Sequence, residues 1–158
     1  TVAELLIASY VAFFQSAAVT TEQIYASNFQ KFPVNSYTRN NDELPAGLSF
    51  YKNGQFEESI PSLKELSNDS SQRLGRIFLA NAYLETGNTD QAIATLKQIN
   101  VEEGEVFLKQ YKAWYLGLSF LKSNQADLAE KQFKSLDIDG GIYREEAIKI
   151  IEAISNLN

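Results

Sequence analysis

The chain contains no cysteine, no histidine and no methionine. Without cysteine there is no disulfide, no thiolate nucleophile and no sulfur ligand for a metal. Without histidine there is no side chain that titrates unaided near neutral pH. Ser-His-Asp and Cys-His catalytic sets, histidine-ligated zinc and two-histidine iron sites are therefore excluded. The missing cysteine leaves the redox compartment open, because a cysteine-free chain is tolerated in both kinds. The missing methionine removes an initiator, and a processed or partial chain is the expectation. Basic residues are outnumbered as well, 14 against 20 acidic, for a net charge of −6. That is the wrong sign for attraction to phosphate backbones or anionic lipid, so nucleic acid is not an expected partner. What is present suits one folded domain: 158 residues, 44% hydrophobic, 22% charged and 12% aromatic.

Between Glu4 and Glu22 lies a charge-free run of 17 residues. Within it, twelve of the fifteen residues from Leu5 to Val19 are apolar or aromatic. A membrane-spanning helix needs about 17 to 20 such residues. Three readings stand open: the end of a membrane anchor, a buried helix, or a signal-peptide remnant lacking a basic flank and a clean cleavage site. Downstream of Glu22 the first basic residue is Lys31, which under the positive-inside rule favours the non-cytoplasmic side. Thr20 or Thr21, followed by Glu22 and Gln23, resembles a helix start, and Ile24, Tyr25, Phe29 and Phe32 recur at helical spacing until Pro33. Asn35 to Asn41 reads as a linker.

The strongest pattern is an internal repeat. In three segments a small residue (Gly47, Ala80, Gly117) is followed three positions on by an aromatic (Phe50, Tyr83, Phe120) and four further by Gly54, Gly87 or Asn124. A second set follows: Ser59, Ala92 or Ala129, then Leu63, Leu96 or Phe133, then Leu66, Ile99 or Leu136. The copies are offset by 33 and 37 residues. Each set lies on one face of a helix, and the intervening Gly or Asn suits a left-handed turn, so every unit reads as a helical hairpin. The longer second interval predicts an early start of the third hairpin near Gly104 or Glu105. Pro61 falls inside the second helix of the first unit and predicts a kink or a short helix there.

With these positions in register, the chain resembles the tetratricopeptide repeat family, whose period is about 34 residues. The resemblance covers roughly Asn40 to Leu136. It implies an all-α solenoid of about three helical hairpins with a C-terminal capping helix and an extra N-terminal apolar helix. The expected organisation is an apolar helix over 1–19, an aromatic connector over 20–40 and a repeat domain over 41–158. Hairpins are expected at about 41–69, 73–102 and 105–137, with the cap over 141–157. Glu22 to Pro33, between the apolar run and the first hairpin, also resembles the aromatic segment of membrane-anchored bacterial members. That implies membrane association with the repeats on the periplasmic side; the alternative is a soluble cytoplasmic protein.

The resemblance implies a concave face lined by the first helix of each hairpin. Mapped onto this sequence, the candidate partner-binding residues are Leu48, Tyr51, Phe78, Asn81, Leu84, Tyr111, Trp114, Tyr115 and Leu118. Only Asn81 matches the side chains with which one subtype grips a terminal carboxylate, so the expected guest is an amphipathic or apolar protein segment. Two alternatives stay open: Tyr111, Trp114 and Tyr115 pack against the next hairpin, or the Leu5 to Val19 helix fills the groove in the same chain or a neighbour. Carboxylates are the one catalytic resource in quantity, at Glu57-Glu58, Glu102-Glu103-Glu105, Asp137-Asp139 and Glu145-Glu146. Each sits at a helix start or on an exposed face, where solvation or the helix dipole explains it. The expectation is a scaffold or assembly factor that is not an enzyme, holds no cofactor and no metal, and binds a protein or peptide. An oligomer with exchanged N-terminal helices and a carboxylate hydrolase are the rivals.

Overall fold

The computed structural model describes residues 19–36, 44–69 and 73–157, and among these every regular element is helical. Helix α1 (Thr21–Asn28) leads through an extended stretch to a 3-10 turn at Val34–Ser36. The three hairpins are α2 (Ala46–Lys52) with α3 (Phe56–Asn68), α4 (Gly75–Glu85) with α5 (Thr89–Lys97), and α6 (Val106–Lys122) with α7 (Ala126–Lys134). Helix α8 (Arg144–Ser155) closes the array. Within the array each helix packs on the next in sequence, and the first helices also meet, α2 on α4 and α4 on α6. This is the stacking of an α-solenoid, in which each hairpin buries the apolar face of its neighbour.

The turns explain the sequence register. Gly54, Gly87 and Asn124 adopt φ of 79°, 76° and 58°, the left-handed region that Gly and Asn enter most readily. After each, one amide reaches back across the turn to the carbonyl of the repeat aromatic: Gln55 to Phe50 (3.0 Å), Asn88 to Tyr83 (2.7 Å), Gln125 to Phe120 (2.8 Å). The fixed interval from aromatic to glycine is thus the geometry that ends the first helix and satisfies its last carbonyls. The small residues serve close approach. A Cβ on Gly117 would stand 2.6 Å from the Phe133 ring, so the bare backbone of α6 is what admits that ring from α7.

Departures from strict repetition have local causes. The extra residues before the third hairpin lengthen α6 to 17 residues, starting at Val106. Phe50 is 38% exposed, whereas Tyr83 and Phe120 are buried. That position faces the preceding hairpin, as shown by Lys97 of α5 lying 5.6 Å over the Phe120 ring, and among the described residues no hairpin precedes the first. Helix α3 runs unbroken through Pro61, so the second helix of the first unit is not shortened. The ring removes one i to i−4 bond, and both Pro61 and Glu57, whose carbonyl loses its partner, are exposed to water. Of the N-terminal apolar run, residues 1–18 lie outside the described residues, as does the linker beyond Ser36. Among the described residues no helix is long and apolar enough to cross a membrane.

Two substitutions test this account in urea unfolding. Gly87→Ala meets no neighbour yet places a Cβ at positive φ, and it lowers stability by about 1–2 kcal/mol, with Gly87→Asn costing less. Pro61→Ala restores a helical bond on an exposed face and raises stability by about 1–3 kcal/mol. A loss of stability from Pro61→Ala contradicts the reading of that residue.

Candidate functional site

The chain's own residues 29–33 lie against the first helices α2, α4 and α6, and α1 before them packs on α6 and α8. Thr20 caps α1 through a reciprocal pair, accepting the Gln23 amide at 3.2 Å while its own amide bonds the Gln23 side chain at 3.0 Å. Ile24 and Tyr25 are buried as α1 lies on α6 and α8. The helix stops at Asn28, earlier than the spacing up to Pro33 predicts, and Phe29 is extended at φ −73°, ψ 123°. The reason lies in what the groove offers: from here the main chain bonds side chains of the repeats instead of itself.

Three such bonds hold the extended stretch. The Phe32 amide donates to Asn81 Oδ1 at 2.9 Å, and the Phe32 carbonyl accepts from the Tyr51 hydroxyl at 3.1 Å. The Gln30 carbonyl accepts from the Tyr115 hydroxyl at 3.0 Å. Asn81 is itself fixed by donating Nδ2 to the Ile77 carbonyl one turn back, which aims its oxygen into the groove. Between these bonds the Phe32 ring enters a cage of aromatics, with centroids 5.1 Å from Phe78, 4.8 Å from Tyr111 and 6.0 Å from Tyr115, all edge-on. Phe32 retains 1% of its exposure. Flanking contacts extend the grip at both ends. Lys31 lies over Tyr51 and Phe56, Lys122 sits 4.3 Å over Tyr25, and the Thr21 hydroxyl meets Asn124 Oδ1 at 2.9 Å.

Of the nine candidate groove residues, Tyr51, Phe78, Asn81, Tyr111 and Tyr115 converge on Phe32, while Leu48, Leu84 and Leu118 are buried in the core. Trp114 turns the other way. Its ring stacks on Tyr143 at 4.5 Å and 4° and meets Phe133 edge-on at 5.6 Å, binding the third hairpin to the approach of α8. Gln110 and Tyr143 do work that the repeat register does not signal: Gln110 Oε1, buried within α6, accepts the Ile142 amide at 2.7 Å. Beside the occupied groove a cleft of about 490 Å³ remains, lined on one side by Gln30, Lys31 and Pro33 and on the other by Trp114, Tyr115 and Tyr143.

Of the carboxylate clusters, Glu146 lines the cleft, and the others lie away from it. Glu102 and Glu105 are held by the Arg73 guanidinium, at 2.8 Å for Glu105. Asp137 and Asp139 face Arg144, at 2.9 Å and 3.6 Å. Glu57, Glu58, Glu145 and Glu146 are exposed in the first turns of α3 and α8, where they complement the helix dipole. In and beside the groove, four phenols are shifted by their surroundings. Tyr25 and Tyr51 are pushed above the usual phenol value by burial first and then by the Glu85 carboxylate. Tyr115 and Tyr143 are raised by burial and then by neighbouring phenols.

Residues 50–106 match the family model described as tetratricopeptide repeat, a span from the middle of α2 to the first residue of α6. Comparison with curated proteins and with solved structures gave no match. Tetratricopeptide repeats generally bind protein partners.

The groove contacts make two predictions. Asn81→Ala strands the buried Phe32 amide and opens a cavity, costing about 2–4 kcal/mol in denaturant unfolding, while Tyr115→Phe removes one hydroxyl bond and costs about 1 kcal/mol. Equal small effects contradict the assigned bond to Asn81. The second concerns alkaline pH. A phenol whose folded pKa is raised contributes stability that is complete below the unfolded value of about 10 and is lost as pH rises beyond it. Each of these four tyrosines therefore adds up to about 1.4 kcal/mol per pH unit of destabilisation above pH ~10, with least from the partly exposed Tyr143. Phenolate absorbance from these residues appears together with unfolding; their ionisation near pH ~10 in an intact fold contradicts the burial argument.

Proposed function

We propose that the chain, whose residues 50–106 match the tetratricopeptide repeat model, is a non-enzymatic scaffold or assembly factor whose concave face recognises an extended, aromatic protein segment. One observation carries this reading: the face already holds residues 29–33 as a peptide is held, with three side-chain bonds to main-chain atoms and one aromatic anchor. Main-chain bonds of this kind accept any extended sequence, and the aromatic cage supplies selectivity. The arrangement binds and positions: the Asn81 amide and the Tyr51 and Tyr115 hydroxyls are committed to hydrogen bonds with the segment. The apolar run from Leu5 to Val19 and the lack of a basic residue between Glu22 and Lys31 support membrane association with the repeats on the periplasmic side.

The test uses a labelled peptide with the sequence of residues 27–36 and the full chain carrying Phe32→Ala, which empties the cage. Far-UV circular dichroism first verifies that the variant keeps its helices. Fluorescence anisotropy then shows saturable binding, weakened about tenfold or more when Asn81→Ala is added, as the loss of a buried bond requires. A folded Phe32→Ala chain that does not bind the peptide contradicts the groove reading.

A further inference from the structure

Resting on that groove reading, we infer that residues 21–33 are a displaceable resident ligand, and that the partner is a protein segment with two aromatics three residues apart, the second followed by proline. The resident itself defines this chemistry. Phe29 stacks on Tyr25 at 5.1 Å and meets Tyr115 edge-on at 6.5 Å, Phe32 fills the cage, and Pro33 ends the extended stretch at the cleft. A proline directly after the anchor holds the anchor residue in extended backbone, the conformation in which its amide and carbonyl reach Asn81 and Tyr51.

Three features favour exchange over permanent attachment. First, the groove side chains bond main-chain atoms of the resident, so an incoming segment of the same pattern recovers every bond that the resident gives up. Second, α1 is only eight residues long and buries Thr21, Ile24 and Tyr25 alone. Among the described residues its side-chain contacts to the repeats include one hydroxyl bond to Asn124 and the Lys122 ammonium over Tyr25. Third, the cleft of about 490 Å³ is lined by Gln30, Lys31 and Pro33 of the resident together with Trp114, Tyr115, Tyr143 and Glu146. A partner can seat there before the resident leaves, so the exchange proceeds by stepwise replacement and the aromatic cage is not emptied into water. Ile142, 42% exposed at the same cleft, gives the incoming chain an apolar contact.

The resident also sets the threshold for binding. A covalently attached segment acts at an effective concentration of about millimolar, so a resident with an intrinsic Kd of about 1–10 μM reduces a partner's apparent affinity by about 100-fold to 1,000-fold. Binding is then confined to partners that are abundant locally or that add contacts in the cleft.

The experiment uses the native full chain, the peptide of residues 27–36, and the same peptide with alanine at the position of Phe32. Trp114 is the chain's one tryptophan and lies in the cleft, so its emission reports arrival. Hydrogen exchange of the amides from Ile24 to Phe32 reports departure of the resident. The expected result is a saturable change in Trp114 emission with parallel loss of amide protection, about 100-fold to 1,000-fold weaker than binding to the Phe32→Ala chain and absent with the alanine peptide. Protection that persists at millimolar peptide in the native chain, or a Trp114 response without loss of protection, overturns the exchange. If the Phe32→Ala chain binds in that case, the groove reading survives; if it too fails, both fall.

Discussion

Phe32 is the residue through which the N-terminal segment and the repeats become one structure. Its ring is surrounded by Phe78, Tyr111 and Tyr115, and its amide and carbonyl are taken by Asn81 and Tyr51, which belong to different hairpins. Removing such a ring from a packed site costs about 3–5 kcal/mol, and the bonds add the cost of leaving buried polar atoms unpaired. Among the described residues no buried side-chain nitrogen or oxygen lacks a partner. That balance depends on the segment: without it Asn81 Oδ1 and the hydroxyls of Tyr51 and Tyr115 face an emptied apolar cage. The first helices of a solenoid are usually thought of as an open surface, but here they form an interior.

Under the proposed function, recognition and folding share one set of contacts. The same aromatic cage that would read a partner completes the core in its absence, which keeps a large apolar face from water. Trp114 and Tyr143 contribute from outside the cage. Their stacking fixes the approach of α8 and so shapes the cleft beside the resident segment. The acidic clusters belong to a different layer of the molecule, paired with Arg73 and Arg144 on the flanks or exposed at helix starts, and they give the surface its negative charge.

The hairpins were legible in the residues because short-range physics dictates them. The interval from Phe50, Tyr83 or Phe120 to Gly54, Gly87 or Asn124 is the span of a helix end, and that geometry recurs wherever those residue types recur. Gly117 and Phe133 are readable for the same reason, as a small residue facing a large one. The end of α1 at Asn28 was not legible, since Phe29 and Phe32 continue a helical spacing. What breaks the helix is a set of bonds from Tyr51, Asn81 and Tyr115, between 19 and 85 residues away in sequence. The orientation of Trp114 depends likewise on Tyr143, which no repeat position marks. Nor does Pro61 stop α3 as a proline inside a helix suggests, because the missing bond falls on a face that water can serve.

The central claim is that the Phe32 main chain is bonded into the groove in the resting protein. Native-state hydrogen exchange read residue by residue tests it most directly, by comparing the amides of Phe32 and Lys31. The account predicts strong protection at Phe32, whose amide is buried against Asn81, lost on Asn81→Ala, and weak protection at the exposed Lys31 next to it. Exchange at Phe32 as fast as in an unstructured peptide would contradict it.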